Sequence, residues 1–179
     1  MARGRAVEDR IVVRPAEPAD LPLLTELSLR FFDYLKATVA DEFWEGAETE
    51  PERARADFEA AFARDELVLI ASLDGRSAGY LYGRIEPAYV RESPIKAMGY
   101  ISHCFVREET RGQGVAAALA LAAEAWFQDR GVTFIELRYS LSNKAAAAVW
   151  EKLGYAPQRL TCRKKLPSRG ESEKARRAP

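Results

Sequence analysis

The sequence predicts an α/β fold with its elements in the order β-α-α-β-β-β-α-β-α-β. Three observations carry that prediction. Apolar residues alternate in some stretches and recur at helical spacing in others, Asp74-Gly75 supplies a hairpin turn, and Gly112 and Gly114 stand between a strand-like run and an alanine-rich helix. At 179 residues the chain can bury a full core without disulfides or metals, so it reads as one domain, residues 11–166. Residues 1–10 read as a flexible N-terminus and residues 167–179 as a disordered basic tail, because both are small, polar and charged.

Ile11 to Arg14 is a β-branched run, and Asp20 can cap a helix that carries Leu24, Leu27, Phe31, Tyr34 and Leu35 on one face. Asp41 to Glu50 is an acidic stretch containing Gly46. Pro51 then opens a second helix with Ala54, Phe58, Ala61 and Phe62 inward. Leu67 to Leu73 and Ala78 to Ile85 flank the Asp74-Gly75 turn as a hairpin. After a loop broken by Pro87 and Pro94, Gly99 to Val106 reads as the strand feeding the glycine turn. The next helix should bury Val115, Leu119, Ala122 and Trp126 and stop at Gly131. Val132 to Tyr139 reads as strand. Ser142 can cap a last helix through Ala146, Val149, Trp150 and Leu153, ended by Gly154, and Gln158 to Leu166 can form a closing strand.

Composition excludes several classes of function. The 27 basic and 27 acidic residues cancel, which gives a nucleic-acid partner no support. No apolar run reaches the length of a membrane span, and the N-terminus lacks a signal-peptide core, so no membrane role is expected. Cys104 and Cys162 match no metal-binding or disulfide spacing; no metal and a cytoplasmic setting are expected.

The segment Val106-Arg107-Glu108-Glu109-Thr110-Arg111-Gly112-Gln113-Gly114-Val115-Ala116 is the most informative stretch. Its glycines let a ligand approach the backbone, and the unpaired N–H groups of a helix's first turn favour an anion such as a pyrophosphate. No Gly-Lys-Ser/Thr follows, and the spacing is not that of a dinucleotide fingerprint, so nucleoside triphosphates and NAD are not indicated.

That turn, with Arg111-Gly112-Gln113-Gly114-Val115-Ala116 opening the central helix, resembles the GNAT superfamily of acetyl-CoA-dependent N-acetyltransferases. The later run Asn143-Lys144-Ala145-Ala146-Ala147-Ala148-Val149-Trp150-Glu151-Lys152-Leu153-Gly154-Tyr155 resembles the family's second signature. The resemblance covers roughly residues 11 to 166 and implies a mixed, mostly antiparallel twisted sheet flanked by helices. It further implies that the amides around Gln113, Gly114, Val115 and Ala116 hold the pyrophosphate of coenzyme A, with Arg111 and Gly112 shaping the turn. The backbone of Cys104, Phe105 and Val106 would pair with the pantetheine arm, as a strand would, and Asn143 would touch that arm near the thioester.

The implied reaction is attack of a neutral amine on the thioester of acetyl-CoA, the acceptor being a small cationic metabolite or a peptide amine. The family's usual acid, a tyrosine seven residues after the Asn, is Trp150 here, and an indole N–H is not a usable acid. Tyr139 is the nearest spare phenol. His103, the only histidine, and Glu86, at a strand end, are the candidate bases. Phe43 and Trp44 interleaved with carboxylates in residues 41–50 suit a cationic acceptor. Two other readings stand beside the enzyme: an acyl-CoA-binding module with little turnover, favoured by Trp150, and a partner-binding protein acting through Arg169, Lys174, Arg176 and Arg177 of the tail. A strand after Gly154 could join a neighbouring chain's sheet edge and so make a homodimer.

Overall fold

In the computed structural model, which describes residues 10–166, five strands form one open sheet in the order β1-β2-β3-β4-β5. The strands are β1 (Ile11–Pro15), β2 (Leu67–Leu73), β3 (Arg76–Pro87), β4 (Ala97–Val106) and β5 (Ile135–Leu137). The helices are α1 (Leu21–Thr38), α2 (Pro51–Ala63), α3 (Val115–Asp129) and α4 (Lys144–Lys152). Strands β1 to β4 are antiparallel to their neighbours, and β5 joins β4 in parallel, which requires the crossover that α3 supplies. The fold class is the expected α/β, mostly antiparallel. The tail cations Arg169, Lys174, Arg176 and Arg177 lie outside the described residues, as do residues 1–9.

The β2–β3 hairpin closes as its sequence demands. Asp74 and Gly75 both take positive φ, 51° and 76°, the requirement of a two-residue turn that matches strand twist. Arg10, expected within the flexible N-terminus, is tied to this turn, its Nε 2.7 Å from Asp74 Oδ1.

Strand β2 is buried almost throughout because both faces of the sheet are covered. Val68 and Ile70 pack with Leu24 and Leu27 of α1, Phe58 of α2, Tyr80 and Phe105. Leu67, Leu69 and Ala71 pack on the other face with Val115, Leu119, Ala123 and Phe127 of α3 and Trp150 of α4.

Phe127, not Trp126, anchors α3 on the sheet. Its ring fills a slot opened by two strand glycines: a Cβ at Gly99 would lie 2.8 Å from Phe127 Cδ1, and one at Gly83 3.2 Å from its Cζ. The buried face of α3 therefore runs through Val115, Leu119, Ala120, Ala123 and Phe127. Ala122 and Trp126 sit beside that face, half-buried, and Trp126 carries Arg130 at 3.7 Å from its ring centre.

Other expectations shift locally. Asp20 does precede α1, but its carboxylate turns back to accept the Glu17 N–H at 2.8 Å and to grip Arg14 at 2.7 Å. Asn143 rather than Ser142 caps α4, its Oδ1 accepting the Ala146 N–H at 3.1 Å, while the Ser142 and Ser140 hydroxyls pair with each other. The strand expected over Val132–Tyr139 is confined to Ile135–Leu137. The closing strand expected over Gln158–Leu166 does not form. The edge strand β5 offers only three residues, and Arg159, Arg163 and Lys165 are drawn instead to carboxylates on other segments. Among the described residues, no helix is long and apolar enough to cross a membrane.

Removing the Phe127 ring should cost about 3–5 kcal/mol in urea-induced unfolding, the range for a fully buried Phe→Ala. Gly99→Ala should cost about 1–3 kcal/mol, since the new methyl meets that ring. Trp126→Ala should cost clearly less than Phe127→Ala, and the reverse order would contradict the slot.

Candidate functional site

Strand β4 has two neighbours along its first half and one along its second. Its pairing with β5 runs from Gly99 to Ile101 and ends there, whereas its pairing with β3 continues to Val106. The edge from Ser102 to Val106 therefore faces no strand. A bulge sits where the change occurs: Tyr82 pairs with His103 and Gly83 with Ile101, which leaves Ser102 unpaired. Without the extra residue, Ile101, His103 and Phe105 would share one face. With it, Ile101 and Cys104 pack toward α3, and His103 and Phe105 toward α1 and α2.

The glycine turn follows directly. Glu108–Thr110 make a single 3-10 turn, Gly112 takes φ 76°, and Gly114 caps α3 at φ 93°, a conformation that excludes most side chains. Ala118 is the first residue to donate back, to the Gly114 carbonyl at 3.0 Å, so the amides of Val115, Ala116 and Ala117 have no acceptor within the helix. Nothing lies within 4 Å of a Cβ built on Gly112, so the turn is open on that side. A shallow depression of about 300 Å³ borders it, lined by Arg10, Ile11, Leu73, Gly112 and Gln113. Arg111 points elsewhere: its Nε donates to the Val106 carbonyl at 3.1 Å, and its guanidinium lies 4.5 Å over the Tyr34 ring. It ties the turn to the end of β4 and to α1.

His103 stands in an aromatic enclosure. Its ring centre is 5.0 Å from Phe31, 5.4 Å from Phe32 and 5.5 Å from Tyr82, and its Nδ1 is 3.1 Å from the Tyr80 hydroxyl. Burial, and secondly the Arg84 cation, push its pKa down to about 4, so it is neutral at pH 7. Tyr80 is fully buried, and that burial raises its phenol well above the ordinary value, so it keeps its proton.

Glu86 is not a free carboxylate. Arg84 Nε holds its Oε1 at 2.8 Å, while Arg84 Nη1 reaches Ser102 Oγ at 2.6 Å and the guanidinium lies 5.1 Å over Tyr100. Tyr139 follows β5 rather than lying in it, and its half-buried ring packs against the α3 side of the core. Cys104 faces the same core, and burial pushes its thiol up to about 12, which removes it as a nucleophile. Trp150 is 7% exposed and packs against Tyr155 at 5.1 Å, so it is a core residue. Asn143 is buried and spends its Oδ1 on the α4 cap.

Tyr80, Tyr82 and Arg84 are neighbours of His103 that sequence reading missed. Their period-two spacing on β3, opposite the strand with the only histidine, was the available signal. The acidic stretch after α1 is also engaged. Arg163 reaches Asp41 at 2.6 Å and lies 4.2 Å over the Phe43 ring, and Lys165 reaches Glu42 at 2.9 Å. The Arg163 hydrogen bond, then the Phe43 backbone N–H, hold the Asp41 carboxyl below its ordinary value. Among the described residues, no group of three or more His, Cys, Asp and Glu side chains could hold a metal ion.

A sheet that opens beside its fourth strand, with a glycine turn heading the helix at the gap, is the arrangement expected of an acetyltransferase-type α/β domain. The profile of the Acetyltransferase (GNAT) family matches residues 31–155. The chain is 31% identical over 147 residues to an aminoglycoside N(6')-acetyltransferase type 1 of Klebsiella aerogenes, covering 80% of this chain and 88% of that protein. It is 31% identical over 106 residues to a mycothiol acetyltransferase of Paenarthrobacter aurescens (strain TC1), covering 56% of this chain but only 32% of that longer protein. The solved aminoglycoside N-acetyltransferase AAC(6')-Iy, in complex with CoA, shares the fold, with a TM-score of 0.71 at 20% identity over 87% of this chain and 94% of that one. The chain belongs to the GNAT acetyltransferase family.

The His103 environment carries a pH signature. The folded chain protonates His103 near pH 4 and the unfolded chain near 6.5, so the unfolded state binds more protons in between. That contribution to stability is complete above pH 6.5 and is lost as pH falls toward 4. An NMR titration of the imidazole should show no protonation at neutral pH, and Arg84→Gln should move its midpoint upward.

Proposed function

We propose that this chain transfers the acetyl group of acetyl-CoA to a primary amine on a small cationic molecule of the aminoglycoside kind. The observation that carries the reading is the unpaired edge of β4 beyond Ile101, which leads straight to a turn with three unsatisfied amides. An extended arm with amide groups and an anionic end matches that surface along its length.

In this reading the amides from Gln113 to Ala116 take the pyrophosphate, and the Cys104–Val106 backbone takes the pantetheine arm. Asn143, its Oδ1 committed to the cap, meets the arm through its amide NH₂. The amine nitrogen bonds to the thioester carbon, the C–S bond breaks, the nitrogen gives up a proton, and the sulfur departs as a thiolate that gains one. Holding the two reactants in line supplies most of the rate. Neutral His103 repels no approaching ammonium; at a pKa of about 4 it is a weak base, yet a far stronger one than water, so it can accept the proton that the nitrogen sheds as the C–N bond forms. Glu86, paired with Arg84, and the packed Tyr139 are secondary candidates. The relatives' chemistry supports a cationic acceptor, and the acidic stretch over residues 41–50 gives it a counter-charge.

The second reading, an acyl-CoA-binding module with little turnover, is favoured by Trp150 in the place of the family's tyrosine. Thiol release from acetyl-CoA across polyamines, aminoglycosides, amino acids and short peptides separates the two. Acceptor-dependent release supports the transferase; binding by calorimetry with background release for every amine supports the module. Gly114→Asp should weaken acetyl-CoA binding by about tenfold or more, because it puts a side chain at positive φ and a negative charge at the helix N-terminus. A large gain in turnover for Trp150→Tyr would show the wild type to be the module.

A further inference from the structure

Beyond Tyr155, which packs on Trp150, the segment after α4 runs on without joining the sheet, and charged side chains make its contacts with the rest of the fold. Arg159 pairs with Glu136 of β5 and lies 4.1 Å over the Tyr89 ring of the β3–β4 loop. Four residues on, Arg163 takes Asp41 at 2.6 Å with its guanidinium 4.2 Å from the centre of the Phe43 ring, and Lys165 takes Glu42 at 2.9 Å. Leu160 and Leu166 are 71% and 74% exposed, so no apolar burial holds the segment down.

The Asp41–Phe43 element treats Arg163 as a binding site treats a cationic ligand, with a carboxylate at the edge of the guanidinium and an aromatic face beneath it. Its occupant comes from 122 residues away in the chain. The element also connects to the centre of the molecule. Trp44 packs on Phe32 at 5.9 Å, and Phe32 packs on His103 at 5.4 Å.

We infer that residues 41–43 form a polycation-binding element which Arg163 and Lys165 occupy in the free protein, and that a polycationic ligand displaces them while a monoamine does not. The inference rests on the acetyltransferase reading only where it equates the displacing ligand with the acceptor. Both ion pairs are largely exposed, with Arg163 and Lys165 side chains 54% and 79% accessible. Pairs of that kind are weak and screened by salt, so the strap is held firmly enough to exclude a single charge and loosely enough to yield to several. Arg163 and Lys165 are thereby specificity-determining residues: they set a charge threshold on what the acidic loop admits.

Two measurements on the full chain test this. In limited trypsin digestion at matched ionic strength, spermine should speed cleavage between Arg159 and Lys165 by about threefold or more over propylamine, as expected for losing two exposed pairs. This readout needs no acetyl transfer. In thiol-release kinetics, the Arg163→Gln/Lys165→Gln variant should lower KM for spermine by about three- to tenfold and lower KM for propylamine as well, since the strap no longer excludes a single charge, with kcat and the KM for acetyl-CoA unchanged. Equal cleavage with both amines, or a raised KM for spermine in the variant, would overturn the inference. Faster cleavage without thiol release from any amine would support the displacement while removing the acetyltransferase reading.

Discussion

The site depends on one constraint, the change of partners along β4. Its first half is an interior strand, fixed on one side by β3 and on the other by β5, with the Gly99 N–H also held by the Phe134 carbonyl at 2.9 Å. Its second half keeps β3 alone. The Ser102 bulge falls at that junction, and it does two things together: it ends the straight run that β5 follows, and it turns His103 from the α3 side to the α1 side. The open edge of β4 and a polar side chain beside it thus meet at a single extra residue. The slot for Phe127 works on the same strand. Glycine at 83 and 99 lets α3 sit close against β3 and β4, which places the head of α3, with its unpaired amides, in line with the opened edge.

The ring enclosure around His103 has its own anchor. Arg107, 12% exposed at the end of β4, makes two hydrogen bonds to Glu26 of α1, at 3.1 and 2.9 Å. Its grip, ahead of the lesser pull of Arg30, holds the Glu26 carboxyl below the ordinary range. A bidentate pair fixes orientation as well as distance, so α1 is registered against β4, and Phe31 and Phe32, one turn and a half further on, come over His103. The absence of net charge conceals how thoroughly this side is paired. Glu26 has Arg107, Glu86 has Arg84, Tyr82 donates to Glu66 at 2.6 Å, and Asp41 has Arg163. The first two carboxylates of the acidic stretch, Asp41 and Glu42, are already engaged, and a cationic ligand must compete for them.

Local chemistry made much of this legible in the sequence. Asp74-Gly75 and Pro51 are read from their own backbone preferences, and the glycine turn from the φ values that only glycine adopts freely. What escaped required knowledge of register. The bulge at Ser102 has no residue signature, because it is a mismatch between two strands. Phe127 and Trp126 are adjacent and both large, and only the facing glycines on β3 and β4 decide which one goes inward. Gln158–Leu166 alternates like a strand, yet a strand needs a partner edge, and β5 is too short to provide one. Glu86 is the exception: Arg84 is two residues away on the same face, and a period-two reading of β3 alone would have paired them.

The same view bears on how a thiolate would leave without the family's tyrosine. Trp150 fills core volume and has no proton to give. Tyr155, stacked on it, is no substitute: its hydroxyl donates to Glu124 at 3.1 Å, and burial followed by the Glu124 charge raises its pKa, which makes it a poor acid. Yet a thiol is a far stronger acid than an alcohol, with the cysteine side chain at a pKa of about 8.5, so a thiolate is a tolerable leaving group near neutrality and gains its proton from water soon after the C–S bond breaks. An oxygen leaving group, with a pKa far higher, would need an acid in place. Loss of the tyrosine is therefore a smaller handicap for a thioester than for an ester, and the demand on the protein moves to the other partner, the amine, which must shed its proton before it can attack. At pH 7 a simple amine is almost wholly protonated, and if the proposed reaction holds its amine beside His103, the same burial that keeps the imidazole neutral would disfavour the ammonium form there.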